Sequence, residues 1–229
     1  MEYTNIKKIH VAEAGTLSTL PPMEEAEQLE VLILSGRLNA KDVYDVLDGL
    51  CDFWVMEYDE DDNPIFDWEN APNLRVLDMG DCEFVDSTTL PDFGCHAPLD
   101  KIILPKNIEY LVYESVIYES FLREIVLPQT MKSLDGISSC ERLEHIEIPE
   151  SVEVLGMYTL SGCPKIKEFY IPKNVRNIHG GLLAGNKLIK EITVSEENQH
   201  FVSIDGVVYT RDLKTLVAYP CGSGRKVYK

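Results

Sequence analysis

An α/β repeat solenoid is the fold class this sequence predicts, and three observations predict it. A short strand ending in proline recurs through the second half of the chain, as "KIILPKNIEYL" from 101, "EIVLPQTMKSL" from 124, "HIEIPESVEVL" from 145, "EFYIPKNVRNI" from 168 and "EITVSEENQHF" from 191. Their marker positions, Pro105, Pro128, Pro149, Pro172 and Ser195, follow at steps of 23, 21, 23 and 23 residues. Apolar columns run through the copies, and both ends of the chain are built differently from its middle.

A strand with two inward residues cannot bury its apolar face alone, whereas stacked copies cover one another. In-register strands then form a parallel sheet, and proline ends each one because it has no N–H to give the ladder. The inward columns are Ile102, Ile125, Ile146, Phe169 and Ile192, then Leu111, Leu134, Leu155, Ile178 and Phe201. A third, just before each strand, is Leu99, Leu122, Leu143, Ile166 and Ile189.

From the N-terminus, residues 1–28 read as a cap with a strand, "KKIHVA", and a helix around "PPMEEAEQ". Residues 29–98 hold two degenerate copies, "LEVLILSG" and "LRVLDMG", which place Leu32, Leu34, Leu77 and Met79 in strand columns. Between them "NAKDVYDVLDGL" predicts a helix with Asn39 as N-cap and Val43, Val46, Leu47 and Leu50 on one face, followed by an acidic loop. Residues 99–200 are the regular repeats. Residues 201–229 form a second cap, with an Asp205-Gly206 hairpin signal, a further strand in "RDLKTLVAYP" and a Gly-rich tail. The whole is expected to be a single solenoid domain.

The pattern "SGCPKIKEFYIPKNVRNI" resembles the BspA-type bacterial leucine-rich repeats, and "FVSIDGVVYTRDLKTLVAYP" is similar to the hairpin module that often follows them. The resemblance implies a leucine-rich-repeat right-handed superhelix with a parallel sheet on one face and an irregular, strand-rich convex side. It also implies a binding or adhesion role at a bacterial cell surface or in secretion. It is close over residues 99–220 and loose over 29–98, and the acidic loop departs from it.

Composition narrows the partners. The chain carries 21 basic and 39 acidic residues, a formal charge of −18, a field that repels nucleic acid and anionic lipid. No run of about 18 apolar residues suggests membrane insertion. "MEYTNIKKIHVAEAG" lacks the basic and apolar regions of a signal peptide, so the expectation is either that the protein stays in the cytoplasm or that this is a mature segment whose export signal has been removed. Cysteines 51, 82, 95, 140, 163 and 221 make no Cys-x-x-Cys pair. Cys140, Cys163 and Asn186 share one column, read as buried side chains bonding the backbone of stacked turns.

Alternation along the strands turns the residues beside the inward columns outward. In copy order these are Lys101 and Ile103, Glu124 and Val126, His145 and Glu147, Glu168 and Tyr170, Glu191 and Thr193. An aromatic among carboxylates suits a protein or peptide partner with basic character, although a merely solvated face accounts for the same columns equally well. A second candidate is the loop with Trp54, Tyr58, Asp59, Asp61, Asn63 and Trp68, a carbohydrate-binding or calcium-steadied alternative. Its acidic spacing begins like a calcium loop, but Pro64 and Asn70 stand where glycine and glutamate are needed. No nucleophile elbow, metalloprotease helix or phosphate-cradling loop is present. The expectation is a monomeric non-enzyme without cofactor or metal, with an intracellular scaffold as a further alternative.

Overall fold

The structure is a computed structural model and describes residues 3–20, 28–47, 55–58, 64–66, 73–91, 99–112, 117–118 and 121–224. Its first strands are β1 (Ile6–Val11), β2 (Val31–Leu38), β3 (Val55–Tyr58), β4 (Pro64–Phe66) and β5 (Val76–Phe84). The repeats supply β6 (Lys101–Ile103), β7 (Tyr110–Leu111), β8 (Ile117–Tyr118), β9 (Glu124–Val126), β10 (Ser133–Leu134), β11 (Ile137–Ser138), β12 (Val154–Leu155), β13 (Phe169–Ile171), β14 (Asn177–Ile178) and β15 (Ile192–Val194). The C-terminal strands are β16 (Phe201–Ile204), β17 (Val207–Thr210) and β18 (Leu216–Ala218).

These elements wind into a parallel-strand β-solenoid. A front sheet runs in the order β1-β2-β5-β6-β9, every pair parallel. Leu32, Leu77, Ile102 and Ile125 stand directly beside one another in it and are buried. A back sheet, β7-β10-β12-β14, aligns Leu111, Leu134, Leu155 and Ile178 in the same way. The inward columns of the sequence are therefore rows of a single core.

Proline both ends the strand and opens a turn. Ile108, Met131, Val152 and Val175 each donate to the carbonyl of the proline three residues earlier, at 3.1–3.4 Å. In the last copy Asn198 does the same to Ser195, at 3.0 Å, so the turn survives without proline. Polar side chains stitch one turn to the next: Asn107 bonds the Phe84 backbone, Thr130 the Lys106 carbonyl, Ser151 the Met131 carbonyl and Asn174 the Glu150 carbonyl. A second corner precedes Cys140, Cys163 and Asn186, where Ser139, Gly162 and Gly185 have φ of 56°, 72° and 84°. Serine is strained in that left-handed region and glycine is not. Ser139→Gly is expected to stabilise the protein by about 0.5–1 kcal/mol in urea denaturation, because the relief exceeds the added freedom of the unfolded chain.

Two expectations need correction. The helix of residues 39–50 is α-helical only over α1 (Ala40–Asp42) and widens into a π turn at Val43–Leu47. Asn39 does cap it, in a reciprocal box with Asp42. The buried Asp42 carboxylate also accepts from the Gly15 and Leu17 N–H groups, at 2.7 and 3.0 Å, which binds this turn to the preceding loop. Residues 48–50 and 21–27 lie outside the described residues.

The second correction concerns the front sheet, which the repeats were expected to continue without interruption. After β9 the segment His145–Ile148 forms no strand, and among the described residues no backbone ladder joins it to either neighbour. Pairing resumes with β13 and β15, where Phe169 stands beside Ile192. The break follows the one short step. From Leu134 to Cys140 is six residues (140 − 134), whereas Leu155 to Cys163 and Ile178 to Asn186 are eight each (163 − 155, 186 − 178). A coil two residues short on one side returns the chain to the front out of step with its neighbours. The back sheet passes this point unbroken.

At the C-terminal end β16 and β17 form the expected antiparallel hairpin, with Asp205 and Gly206 both at positive φ. β18 adds the third strand. The hairpin docks on the last coil through Ile192 N–H to the Gly206 carbonyl, at 2.9 Å, and the Ser203 hydroxyl to the Ile192 carbonyl, at 2.6 Å.

Candidate functional site

The front strands present their outward residues as two columns. In β6 and β9, Lys101 lies beside Glu124 and Ile103 beside Val126. The Lys101 ammonium reaches the Glu124 carboxylate at 2.7 Å, so the first acidic position is paired. In β13 and β15, Tyr170 lies beside Thr193, with Glu168 and Glu191 one residue ahead of those strands. Tyr170 is 44% exposed and Val126 38%, both large for side chains standing on a sheet. His145 and Glu147 are exposed too, but they sit on the segment without a ladder. Eight of the ten residues thus stand on or directly ahead of two separate stretches of sheet, and His145 and Glu147 lie on the irregular coil between them.

Three further members of the second column escaped the sequence reading. Lys8, Ile33 and Asp78 are in register with one another and with Ile103, so the column extends to β1. The signal was available, because the strands that place Leu32, Leu34, Leu77 and Met79 inward must turn Ile33 and Asp78 outward.

Surface ion pairs join adjacent coils on the flanks: Arg123 to Asp100 at 3.1 Å, Lys132 to Glu109 at 2.7 Å and Arg176 to Glu153 at 2.6 Å. Each links residues 23 apart in sequence, so they mark the repeat more than they stabilise it, since exposed pairs contribute less than about 1 kcal/mol.

The second candidate is only partly in view. Trp54, Asp59, Asp61, Asn63 and Trp68 lie outside the described residues. Tyr58 ends β3, which pairs with β4 as an antiparallel hairpin. Cys51, Cys95 and His96 are likewise outside.

Of the described thiols, Cys82, Cys140 and Cys163 are buried in the core and Cys221 is exposed. Cys140 and Cys163 are fully buried and donate to the Ser138 and Ser161 carbonyls, at 3.5 and 3.9 Å. Asn186, next in that column, accepts from the Cys163 N–H at 2.8 Å and donates to the Leu160 carbonyl at 2.7 Å. The neighbouring Cys140 thiol holds Cys163 below the ordinary thiol range, against the opposing effect of burial. Burial, reinforced by Asp78 and Asp81, pushes Cys82 up to about 12, so it stays a thiol at neutral pH. Among the described residues no group of three or more His, Cys, Asp or Glu is placed to hold a metal. No helix among them is long and apolar enough to cross a membrane.

Stacked coils with a strand, a proline turn and a Cys/Asn corner define a leucine-rich-repeat solenoid. Residues 92–204 match the BspA type leucine rich repeat region in six copies, so this part of the chain is a BspA-type repeat region. Among solved structures it is similar to a leucine-rich repeat protein from Eubacterium ventriosum, at 14% identity and a TM-score of 0.44, covering 96% of this chain and 48% of that one. It is also similar to the pneumococcal vaccine antigen PcpA, at 19% identity and 0.36, covering 75% and 42%. A leucine rich cell surface protein from Faecalibacterium prausnitzii matches at 17% and 0.37, covering 65% and 40%. The chain thus spans less than half the length of each. No curated protein matches it.

Proposed function

We propose that this protein is a non-enzymatic recognition module that binds a protein or peptide through the outward face of its front strands. The observation that carries the reading is the exposed Tyr170, fixed on β13 beside Thr193 and flanked by Glu168 and Glu191. An aromatic ring held by a sheet gives up little freedom on contact, and carboxylates around it select a partner with basic character. The family supports a surface or secreted setting, with the module acting as a monomer. The proposal includes right-handed winding and the division into a cap at 1–28, degenerate coils at 29–98, regular coils at 99–200 and a cap at 201–229.

The experiment is capture of partners from extracellular and surface fractions, comparing wild type with Tyr170→Ala/Glu168→Lys. The double variant is expected to lose at least tenfold in affinity for any captured partner, the effect of one anchor plus one reversed charge. Its melting temperature stays within about 2 °C, since both side chains are exposed. Unchanged affinity removes this face from consideration.

A further inference from the structure

The break in the front sheet leaves an opening on the front face, apart from Tyr170. Between β9 and His145–Glu147 lies a cleft of about 180 Å³, floored by the buried Ile125, Leu127 and Ile146 and rimmed by the exposed Glu124, Val126, Gln129, His145 and Glu147. The core shows through at this place. Ile125, Leu127, Ile146 and Ile148 are 5, 5, 9 and 6% exposed, against 2, 1, 2 and 0% for Ile102, Leu104, Phe169 and Ile171 in the neighbouring coils. A wider, shallower groove over Ile103, Lys106 and Thr130 shares Val126, Leu127 and Gln129 with the cleft and continues from it toward Gly80.

The cleft also exposes backbone. In a parallel ladder successive residues bond to opposite sides. Glu124 N–H donates to Asp100 and the Val126 carbonyl accepts from Leu104, so Glu124 and Val126 turn toward β6. Ile125 consequently turns its N–H and C=O into the cleft, where no backbone partner from His145–Ile148 meets them. Glu147 takes part in no ion pair among the described residues.

An apolar floor, an open carbonyl at depth and carboxylates at the mouth fit one kind of side chain: a long aliphatic stem ending in a cation. We propose that this cleft is a pocket for a single Lys or Arg side chain of an extended partner segment lying across the front face. The stem packs on Ile125 and Ile146, and the head group bonds the Ile125 carbonyl and the Glu147 carboxylate. Glu124 shares its charge between the incoming cation and Lys101. The −18 charge of the chain favours approach of such a segment, so affinity falls as salt rises. This pocket deepens the recognition reading above and rests on it, but it uses a different part of the face from Tyr170.

The test is fluorescence anisotropy with a labelled eight-residue peptide of alternating Lys and Val, and with its Glu-Val counterpart as control. Three single variants are compared with wild type. Glu147→Gln removes the mouth carboxylate, Gln129→Arg places the protein's own cation beside the cleft, and Glu191→Gln removes an acid elsewhere on the face. All three sites are exposed, so folding is not at stake. Glu147→Gln and Gln129→Arg are expected to weaken the Lys peptide about fivefold or more, and Glu191→Gln less than twofold. Equal losses in Glu147→Gln and Glu191→Gln mean diffuse attraction and overturn the pocket while leaving the recognition face intact. Absence of binding by the Lys peptide at low salt overturns the pocket as well. If Tyr170→Ala/Glu168→Lys also leaves every captured partner unaffected, both readings fail together.

Discussion

Asn198→Ala is expected to cost about 3–4 kcal/mol and lower the melting temperature by roughly 6–15 °C. Asn198 is fully buried where the last coil turns into the C-terminal hairpin. Its amide donates to the Pro172 and Val175 carbonyls, at 2.8 and 2.9 Å, and its carbonyl oxygen accepts from the His200 and Phe201 N–H groups, both at 2.8 Å. One side chain therefore satisfies two acceptors of the preceding coil and two donors of the following strand. Alanine leaves the Val175 carbonyl and the His200 and Phe201 N–H groups without a partner, while the Pro172 carbonyl keeps the Val175 N–H at 3.4 Å. Each stranded buried group costs on the order of 1–3 kcal/mol, and partial hydration near the half-exposed His200 amide keeps the sum below three times the upper figure. Asn174→Ala is the control. Asn174 makes one bond, to the Glu150 carbonyl at 2.7 Å, and is exposed, so its loss is expected to stay below about 1 kcal/mol. Thermal melts of the two variants side by side decide the matter. If they shift equally, Asn198 is not the tie described here.

How much of this was legible beforehand follows from what kind of physics each feature rests on. The core rows were readable, because a repeated apolar position must face a repeated apolar position when coils stack, and Leu111, Leu134, Leu155 and Ile178 do so. The Asp205-Gly206 reversal was readable from local backbone preference alone. Asn186 was readable as a column member, since Cys140 and Cys163 precede it. Asn198 was not: it belongs to the one copy without proline, and its partners come from two elements far apart in sequence. The break at His145–Ile148 was half visible. The step of 21 residues is plain in the sequence, but whether a short coil loses a ladder on its front, back or side depends on how the whole coil closes. That is a property of three faces at once, which a one-dimensional pattern does not carry. Alternation applies only along the strands, as at β6, β9, β13 and β15, and the cleft between them arises only from the break.

Leu134→Ala is expected to cost about 2–5 kcal/mol, as for other fully buried leucines, and to change the manner of unfolding as well as its midpoint. In a solenoid each coil touches only its neighbours, so cooperativity depends on the weakest interface along the array. The interface between the coils that begin at Glu124 and His145 lacks the front ladder. On the back it is held by β10 against β12, where Leu134 stands beside Leu155, with the Glu153 and Val154 N–H groups donating to the Lys132 carbonyl and Gly156 to the Leu134 carbonyl. A cavity at Leu134 weakens that junction where no second ladder compensates. The variant is therefore expected to unfold in urea in two steps, with amide exchange rising across one half of the chain before the other. Leu77→Ala removes an equally buried leucine, but within β5, which is paired on both flanks in the continuous front sheet. It is expected to lose comparable stability in a single transition. Coincident transitions by circular dichroism and hydrogen exchange in both variants would show that the back ladder and core alone couple the two halves, and that the missing front ladder costs the array none of its cooperativity.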